Sequence, residues 1–346
     1  MHNNFHVTII TPVFAIDEQD SVNVPFLQIY CKELLKTNIK LTIIAEQYPQ
    51  HNDYTWNGVN VITLKRKTPK VIYKFLRRPR LVKALKAIHD KNPIHLIHNF
   101  WFNILGQISE KYALMNNIKH LTSLAGQDIL PTNNYITMIT RYSGSLVCPS
   151  LFQKLKLQEN YSVNPKIIAW GLDDFILKRQ ERSIDLILCG WINSVKNYPD
   201  FLKIVKALQQ EPLLKKVVIC GGGPLLNNLI NDVQAHGLNT LIEIKTSIPR
   251  DQVLDLMQQS KILVHTSDFE SFGLVLAEAL AANCIVISKP VGIAFDNETI
   301  ITCKTTEQFV SSIRKALKSY TDVDRPYSNQ YPIQKTVEEY LKIYYT

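Results

Sequence analysis

The sequence predicts an α/β fold made of two doubly wound units. Three observations lead there. Short runs of Val, Ile and Leu alternate with longer segments of helical character, this alternation runs through the chain twice, and 346 residues is about two domains of chain. In the first unit the strand candidates are residues 7–10, 41–45, 59–64, 94–98, 120–124 and 146–149, separated mostly by helical patterns. Each is too short for a stable helix and rich in branched apolar residues, as strands buried on both faces are. The second unit repeats the plan with strands at 186–189, 216–220, 241–245, 262–265 and 284–288. The expected boundaries are 1–165 for the first unit, 166–182 for a linker and 183–329 for the second unit. In the closing stretch, 330–346, Tyr340, Leu341 and Tyr344 recur at helical spacing and predict a terminal helix. No short-period repeat or low-complexity tract interrupts this order.

Composition bounds the function classes. With 46% hydrophobic and 20% charged residues the chain can bury two ordinary cores. No run of about 18 uninterrupted apolar residues is present, and polar residues lead straight into Val7-Thr-Ile-Ile-Thr11 without a basic start or cleavage site. A cytoplasmic chain without membrane span or export signal is expected. The six cysteines, Cys31, Cys148, Cys189, Cys220, Cys284 and Cys303, are scattered and show no Cys-x-x-Cys spacing, so buried thiols are expected rather than disulfides or a zinc site. The only Asp-x-Asp, Asp322-Val-Asp324, lies in a polar stretch and not at the end of an apolar strand, so no metal and no cofactor are expected.

The most informative segment is His265-Thr-Ser-Asp-Phe-Glu270-Ser-Phe-Gly273-Leu-Val-Leu-Ala-Glu278. The apolar run before it reads as a strand, and the Leu- and Ala-rich run from Leu274 reads as a helix. Ser271, Phe272, Gly273 and Leu274 would then present backbone N–H groups at the positive end of that helix, where a phosphate or diphosphate binds well. Eight steps from Glu270 to Glu278 span on the order of 12 Å, enough to place a sugar at one end of a diphosphate and a ribose at the other. A carboxylate suits such hydroxyl-rich groups because it accepts charge-assisted hydrogen bonds from neighbouring hydroxyls. The alternative for each glutamate is a solvated loop or helix-surface residue.

Glu270-Ser-Phe-Gly-Leu-Val-Leu-Ala-Glu278, with Pro290-Val-Gly292 beyond the next strand, resembles the donor-site signature of retaining glycosyltransferases with two Rossmann-like domains (the GT-B fold), and family 4 in particular. Three further segments resemble it in the same order: Trp170-Gly-Leu-Asp173 ending at Phe175, Gly190-Trp-Ile-Asn-Ser-Val-Lys196-Asn197, and Val217-Val-Ile-Cys-Gly-Gly-Gly-Pro224. The resemblance implies two domains facing across a cleft, with the sugar donor held by the second domain and the terminal helix packed back on the first. It implies that Glu270 fixes the sugar and Glu278 the ribose, that Lys196 contacts the diphosphate, and that Gly190, Trp191, Asn197, Gly222, Ser271, Phe272, Gly273 and Leu274 complete the donor site. The chain departs from the pattern at Trp191, where the family usually has arginine; Arg250 is a candidate replacement cation. On the acceptor side the candidates are His98, Trp101, Gly126 and Asp128. The family often has histidine where this chain has Ala125, and Asp128 is read either as an acceptor-side carboxylate or as a helix N-cap. His98 is read either as a group orienting an acceptor hydroxyl or as a buried histidine.

The function these residues point to is retaining transfer of a hexose from a UDP- or GDP-sugar to a glycan or lipid-linked acceptor, in surface polysaccharide synthesis. The alternatives are a non-catalytic nucleotide-sugar or glycan-binding subunit, motivated by Trp191 and Ala125, and a nucleotide-sugar epimerase on the same fold. Lys and Arg exceed Asp and Glu by nine, and residues 65–86 contain no acid. Their cations are interleaved with Val71, Ile72, Tyr73, Phe75, Leu76, Leu81, Val82 and Leu85, a mixture suited to an anionic membrane surface. Peripheral membrane contact is expected there, and nucleic acid is not.

Overall fold

The computed structural model describes residues 5–174, 180–321 and 328–346. Phe175, Asp322 and Asp324 fall outside these described residues. The chain divides into two compact units, one running to Asp173 and completed by Ile333–Thr346, the other spanning Asp174–Pro332. Each contains a parallel sheet with helices on both faces.

In the first unit the elements are β1 (Phe5–Val13), α1 (Pro25–Leu34), β2 (Ile39–Tyr48), β3 (Tyr54–Trp56), β4 (Val59–Thr63), α2 (Lys70–Lys91), β5 (Leu96–Phe100), α3 (Ile104–Met115), β6 (Lys119–Ser123), β7 (Ser145–Cys148), α4 (Leu151–Tyr161) and β8 (Lys166–Ile167). The sheet order is β3-β4-β2-β1-β5-β6-β7-β8, and only the β3–β4 pairing is antiparallel. Because side chains alternate across β1, Val7 and Ile9 pack into one core with Leu27, Tyr30 and Tyr340, while Ile10 joins the other with Tyr73, Leu81, Leu85 and Leu105. Full burial of each such side chain stabilises by roughly 1.5–3 kcal/mol. Residues 166–167, expected in the linker, instead form the edge strand beside β7.

In the second unit the elements are β9 (Ile184–Cys189), α5 (Tyr198–Leu208), β10 (Val217–Cys220), α6 (Leu226–Ala235), β11 (Ile242–Lys245), α7 (Arg250–Gln258), β12 (Ser260–His265), α8 (Leu274–Ala281), β13 (Ile285–Ser288), β14 (Ile301–Thr302) and α9 (Thr306–Lys318). The sheet order is β11-β10-β9-β12-β13-β14, parallel throughout. Helices α5, α6 and α9 cover the face carrying Leu186, Leu188, Ile262 and Val264, and α7 and α8 pack on the strands from the other side. The order runs outward in both directions from the β9–β12 pair. That pair is the topological switch point, and the loops beyond its carboxyl ends open the crevice where such sheets bind ligands.

The last helix, α10 (Ile333–Tyr345), belongs to the first unit. Its Tyr340 and Tyr344 are fully buried against α1 and the sheet, and Ile333 packs so tightly under Gly171 that a Cβ there would lie 2.3 Å from the Ile333 Cα. Among the described residues no helix is long and apolar enough to cross a membrane. All six cysteines are buried and unbridged.

Candidate functional site

In the first unit the switch point lies between β1 and β5, and the loop after β5 carries Trp101. Trp101 sits in the left-handed region at φ 66°, held by its amide donating to the Ser123 carbonyl and its carbonyl accepting from Asn99 Nδ2 at 2.7 Å. The indole packs edge-on to Phe26, and a Cβ on Gly126 would lie 3.6 Å from its Nε1, so the structure brings Trp101 and Gly126 together.

Asp128 is nearly buried, and its carboxylate accepts from the amides of Phe102 at 2.7 Å, Gly126 at 2.8 Å and Ala125 at 3.4 Å. Asn133 Nδ2 ties the same two loops by donating to the carbonyls of Phe102 and Asp128. Both oxygens are engaged by backbone, and Asp128 clamps the loop after β5 to the loop after β6. Asp128 does not take the N-cap position: it lies within the 3₁₀ turn Gln127–Ile129, which Gly126 precedes.

His98 takes the second of its two readings, the buried histidine. It is completely buried, its Nδ1 lies 2.6 Å from the Tyr344 hydroxyl and its Nε2 2.7 Å from Ser123 Oγ, and that serine meets the Tyr340 hydroxyl at 2.7 Å. Burial holds the imidazole pKa well below its ordinary value. It is a core histidine joining the sheet to α10.

In the second unit the loops after β9 and β12 knit together at the switch point. The amide of Asp268 donates to the Val195 carbonyl, and Thr266 Oγ1 donates to the Lys196 carbonyl at 3.0 Å. Lys196 ends a 3₁₀ turn capped by Asn193. Asn197, expected to touch the sugar donor, is the left-handed N-cap of α5, and its Nδ2 donates to Asp200 and Asp268. Lys289 bridges the same two aspartates, at 3.1 Å and 2.7 Å, and fixes the base of the loop pair.

Glu270 stands where these loops meet. Its Oε1 forms an ion pair with Lys196 Nζ and accepts from His265 Nε2 at 3.2 Å. Burial opposes ionisation of Glu270, but the charges of Lys196 and His265 and the hydrogen bonds from both outweigh it, and its pKa lies far below the usual carboxylate range. His265 is lowered, by burial first, against the pull of Glu270, so near neutrality it donates from an uncharged ring. Past Glu270, Ser271 and Phe272 are buried. Phe272 faces Tyr331 edge-on, so of this residue only the backbone is available to a ligand. Gly273 caps α8 at φ 83°, and the first-turn amides of Leu274 and Val275 have no acceptor within the helix. Glu278, one turn on, is 7% exposed and accepts from Arg250 Nε at 2.7 Å.

The glycines after β10 have a structural task. A Cβ on Gly221 would lie 2.0 Å from the Gly190 carbonyl oxygen and one on Gly223 2.5 Å from that of Ile192, while the Ile192 amide donates to Gly222. They let the β10 turn press against the β9 loop. On Gly190 a Cβ would lie 3.0 Å from Lys196 Cε, so this glycine makes room for the lysine stem. Trp191 is 61% exposed and lies over Gly222.

Residues 172–331 match the family described as glycosyl transferases group 1. The second unit is thus similar to the glycosyl transferases of group 1 over nearly its whole length. Solved structures extend the likeness over the whole chain at the level of fold. The sucrose-phosphate synthase of Thermosynechococcus elongatus superposes with a TM-score of 0.72 at 16% identity, over 98% of this chain and 95% of that one. The Anabaena HepE structure in complex with UDP and glucose gives 0.73 at 13% identity, over 98% and 99%. The fold is that of the GT-B glycosyltransferases. In sequence, the chain is 29% identical over 75 residues to the phosphatidylinositol N-acetylglucosaminyltransferase GPI3 subunit of Saccharomyces cerevisiae, a segment that is 22% of this chain and 17% of that protein.

Within the second unit, sequence reasoning passed over His265, Asp268 and Lys289 as site-forming residues. His265 was visible as a polar residue closing an apolar strand, whereas nothing local marks Lys289 as the bridge between Asp200 and Asp268. Arg250 was considered as a replacement for the family arginine; it sits on Glu278. Among the described residues no group of three His, Cys, Asp or Glu side chains is placed to hold a metal ion.

Proposed function

We propose that this protein is a retaining glycosyltransferase that moves a hexose unit from a nucleotide diphosphate sugar to a hydroxyl of a glycan or lipid-linked acceptor. The observation that carries the reading is the array beside the β9–β12 switch point: Glu270, Lys196, the open first turn of α8 and Glu278 in sequence along one helix end. Glu270 accepts hydrogen bonds from sugar hydroxyls and stays ionised to do so. Lys196, released from Glu270 as the sugar enters, turns its charge to the diphosphate, and the α8 amides add to it. Both stabilise the negative charge that grows as the nucleotide leaves. Glu278 takes the ribose, with Arg250 fixing its carboxylate. These groups neutralise the leaving diphosphate without a metal, so turnover is expected to persist in a chelator. A UDP donor is supported by the UDP and glucose bound to the HepE neighbour, and N-acetylglucosamine and a lipid acceptor by the name of the yeast GPI3 relative.

Two measurements test this. UDP, GDP and ADP with their sugar conjugates are screened for thermal stabilisation of wild type and Glu278→Ala, since a ligand that binds only the folded state raises its melting temperature. One base should stabilise the wild type and lose its effect in the variant; no response to any nucleotide would refute the donor site. Glu270→Ala should abolish transfer with the fold retained.

A second reading, a non-catalytic nucleotide-sugar-binding subunit, is favoured by Trp191 and Ala125 standing where the family pattern has arginine and histidine. It gives nucleotide binding without turnover on any acceptor. We also place peripheral membrane contact at residues 65–86, where Val71, Ile72 and Phe75 are exposed among the cations. Cytoplasmic surface-polysaccharide synthesis is the setting this reading suits.

A further inference from the structure

The first unit contains a cavity of about 810 Å³ between α2 and α3, remote in sequence from the second unit. Its size lies in the roughly 300–1,000 Å³ range of small-molecule sites. The helix α3 contributes Ile104, Ile108, Tyr112 and Met115, one stripe at steps of three and four, and α2 answers with Val82 and Pro79. The wall is therefore mostly apolar. Lys74, Arg78 and Lys111 stand around it, and none of the three forms an ion pair with a carboxylate among the described residues. Arg77 also reaches the groove but is held at 2.6 Å by the buried Glu46, and Arg80 is turned inward onto the carbonyls of Leu64 and Lys65. The one acid beside these cations on α3, Glu110, accepts from the amide and hydroxyl of Ser143. Met115, which lines the groove, is 77% exposed, and Phe75, next to Lys74 in the chain, is 78% exposed.

An apolar trough, three rim cations without an ion pair among the described residues and an exposed apolar side chain call for an amphiphile with an anionic head. We propose that the α2–α3 groove binds one acyl chain of an anionic phospholipid, with the lipid phosphate held by Lys74, Arg78 and Lys111. The proposal deepens the membrane contact proposed above, turning surface adsorption into capture of a single lipid, and it does not depend on the transfer reaction. Free phosphate would leave the trough empty, and a neutral detergent would leave the cations unmatched.

The test is calorimetric titration of the full chain with monomeric dodecyl phosphate, inorganic phosphate and dodecyl maltoside, paired with flotation on phosphatidylglycerol and phosphatidylcholine vesicles. Dodecyl phosphate should bind one per chain and at least about tenfold more tightly than the other two. Val82→Trp, which fills the trough, should weaken it by about tenfold or more while salt-sensitive adsorption to phosphatidylglycerol survives. Lys74→Glu with Lys111→Glu should abolish both. Equal dodecyl phosphate binding by wild type and Val82→Trp, or inorganic phosphate binding as tightly as dodecyl phosphate, would overturn the proposal. The exposed Met115→Glu gives the same reading if the trough variant fails to fold. Nucleotide-induced stabilisation measured on the same proteins keeps failure here separate from failure of the donor site.

Discussion

Arg250 Nε donates to Glu278 Oε1 at 2.7 Å, and both side chains are largely buried, 16% and 10% exposed. The pair joins the first residue of α7 to the second turn of α8, so the carboxylate assigned to the ribose is positioned before any ligand arrives.

Arg250→Ala should therefore damage more than nucleotide binding. It leaves a buried carboxylate without its ion-pair partner, a change that costs about 3 kcal/mol. Urea unfolding measures it. Removing both groups together, as Arg250→Met with Glu278→Leu, should restore much of the stability but none of the nucleotide response. A double variant as unstable as the single one would mean that packing, not charge, sets the loss.

Lys196 is the leading charge that holds the Glu270 pKa down. In Lys196→Ala that pKa should rise, and the acid limb of the kcat/KM profile should move to higher pH. Turnover should fall by about 10²-fold or more through loss of charge stabilisation. The sign for stability follows. A depressed carboxylate pKa contributes stability above the unfolded value near 4.5 that is lost as pH falls. The variant should show a smaller loss on acidification. An unmoved acid limb would detach Lys196 from Glu270.

Gly292 lies under the Glu270 turn at φ +55°, where an added Cβ would sit 2.2 Å from the Phe272 carbonyl oxygen. That oxygen also accepts from the Ile293 amide at 2.8 Å. Gly292→Ala should cost about 2 kcal/mol or more and erase nucleotide stabilisation, because the turn must move. Calorimetric melting with and without UDP reads both effects; a variant that responds to UDP like the wild type would show that the turn tolerates displacement.

Burial pushes the Asp128 carboxyl up to about 6, although the amides of Phe102, Gly126 and Ala125 pull it down. Between the unfolded value near 3.8 and about 6 the folded state holds the extra proton. Stability should fall as pH rises through that window, by up to about 3 kcal/mol, and level off above it. Asp128→Asn should lack this slope in urea unfolding from pH 4 to 7. Identical slopes would assign the titration elsewhere.

The parallel strands were legible because doubly buried strands are short apolar runs, and the β12–α8 junction because Gly273 separates a strand period from a helix period. The β3–β4 hairpin was missed although Asn57-Gly58, both at positive φ, is a strong hairpin signal. Strand β8 is two residues long and leaves no periodicity to read. Pairings across long separations were out of reach. His98 is satisfied by Tyr344, 246 residues away, and Glu270 by Lys196 across 74. The clamp at Asp128 was out of reach for a related reason: the amides it holds include Phe102, which only the adjacency of β5 and β6 brings near.

The way α10 completes the first unit sets an order of events during synthesis. Tyr340 and Tyr344 close the core around Tyr30, His98 and Ser123, yet the ribosome makes them only after the whole second unit. Domains generally fold in the order they emerge, amino-terminal first. Here the second unit is complete before the unit that precedes it, whose partly built sheet must wait, one flank uncovered, until the whole of its neighbour has been translated.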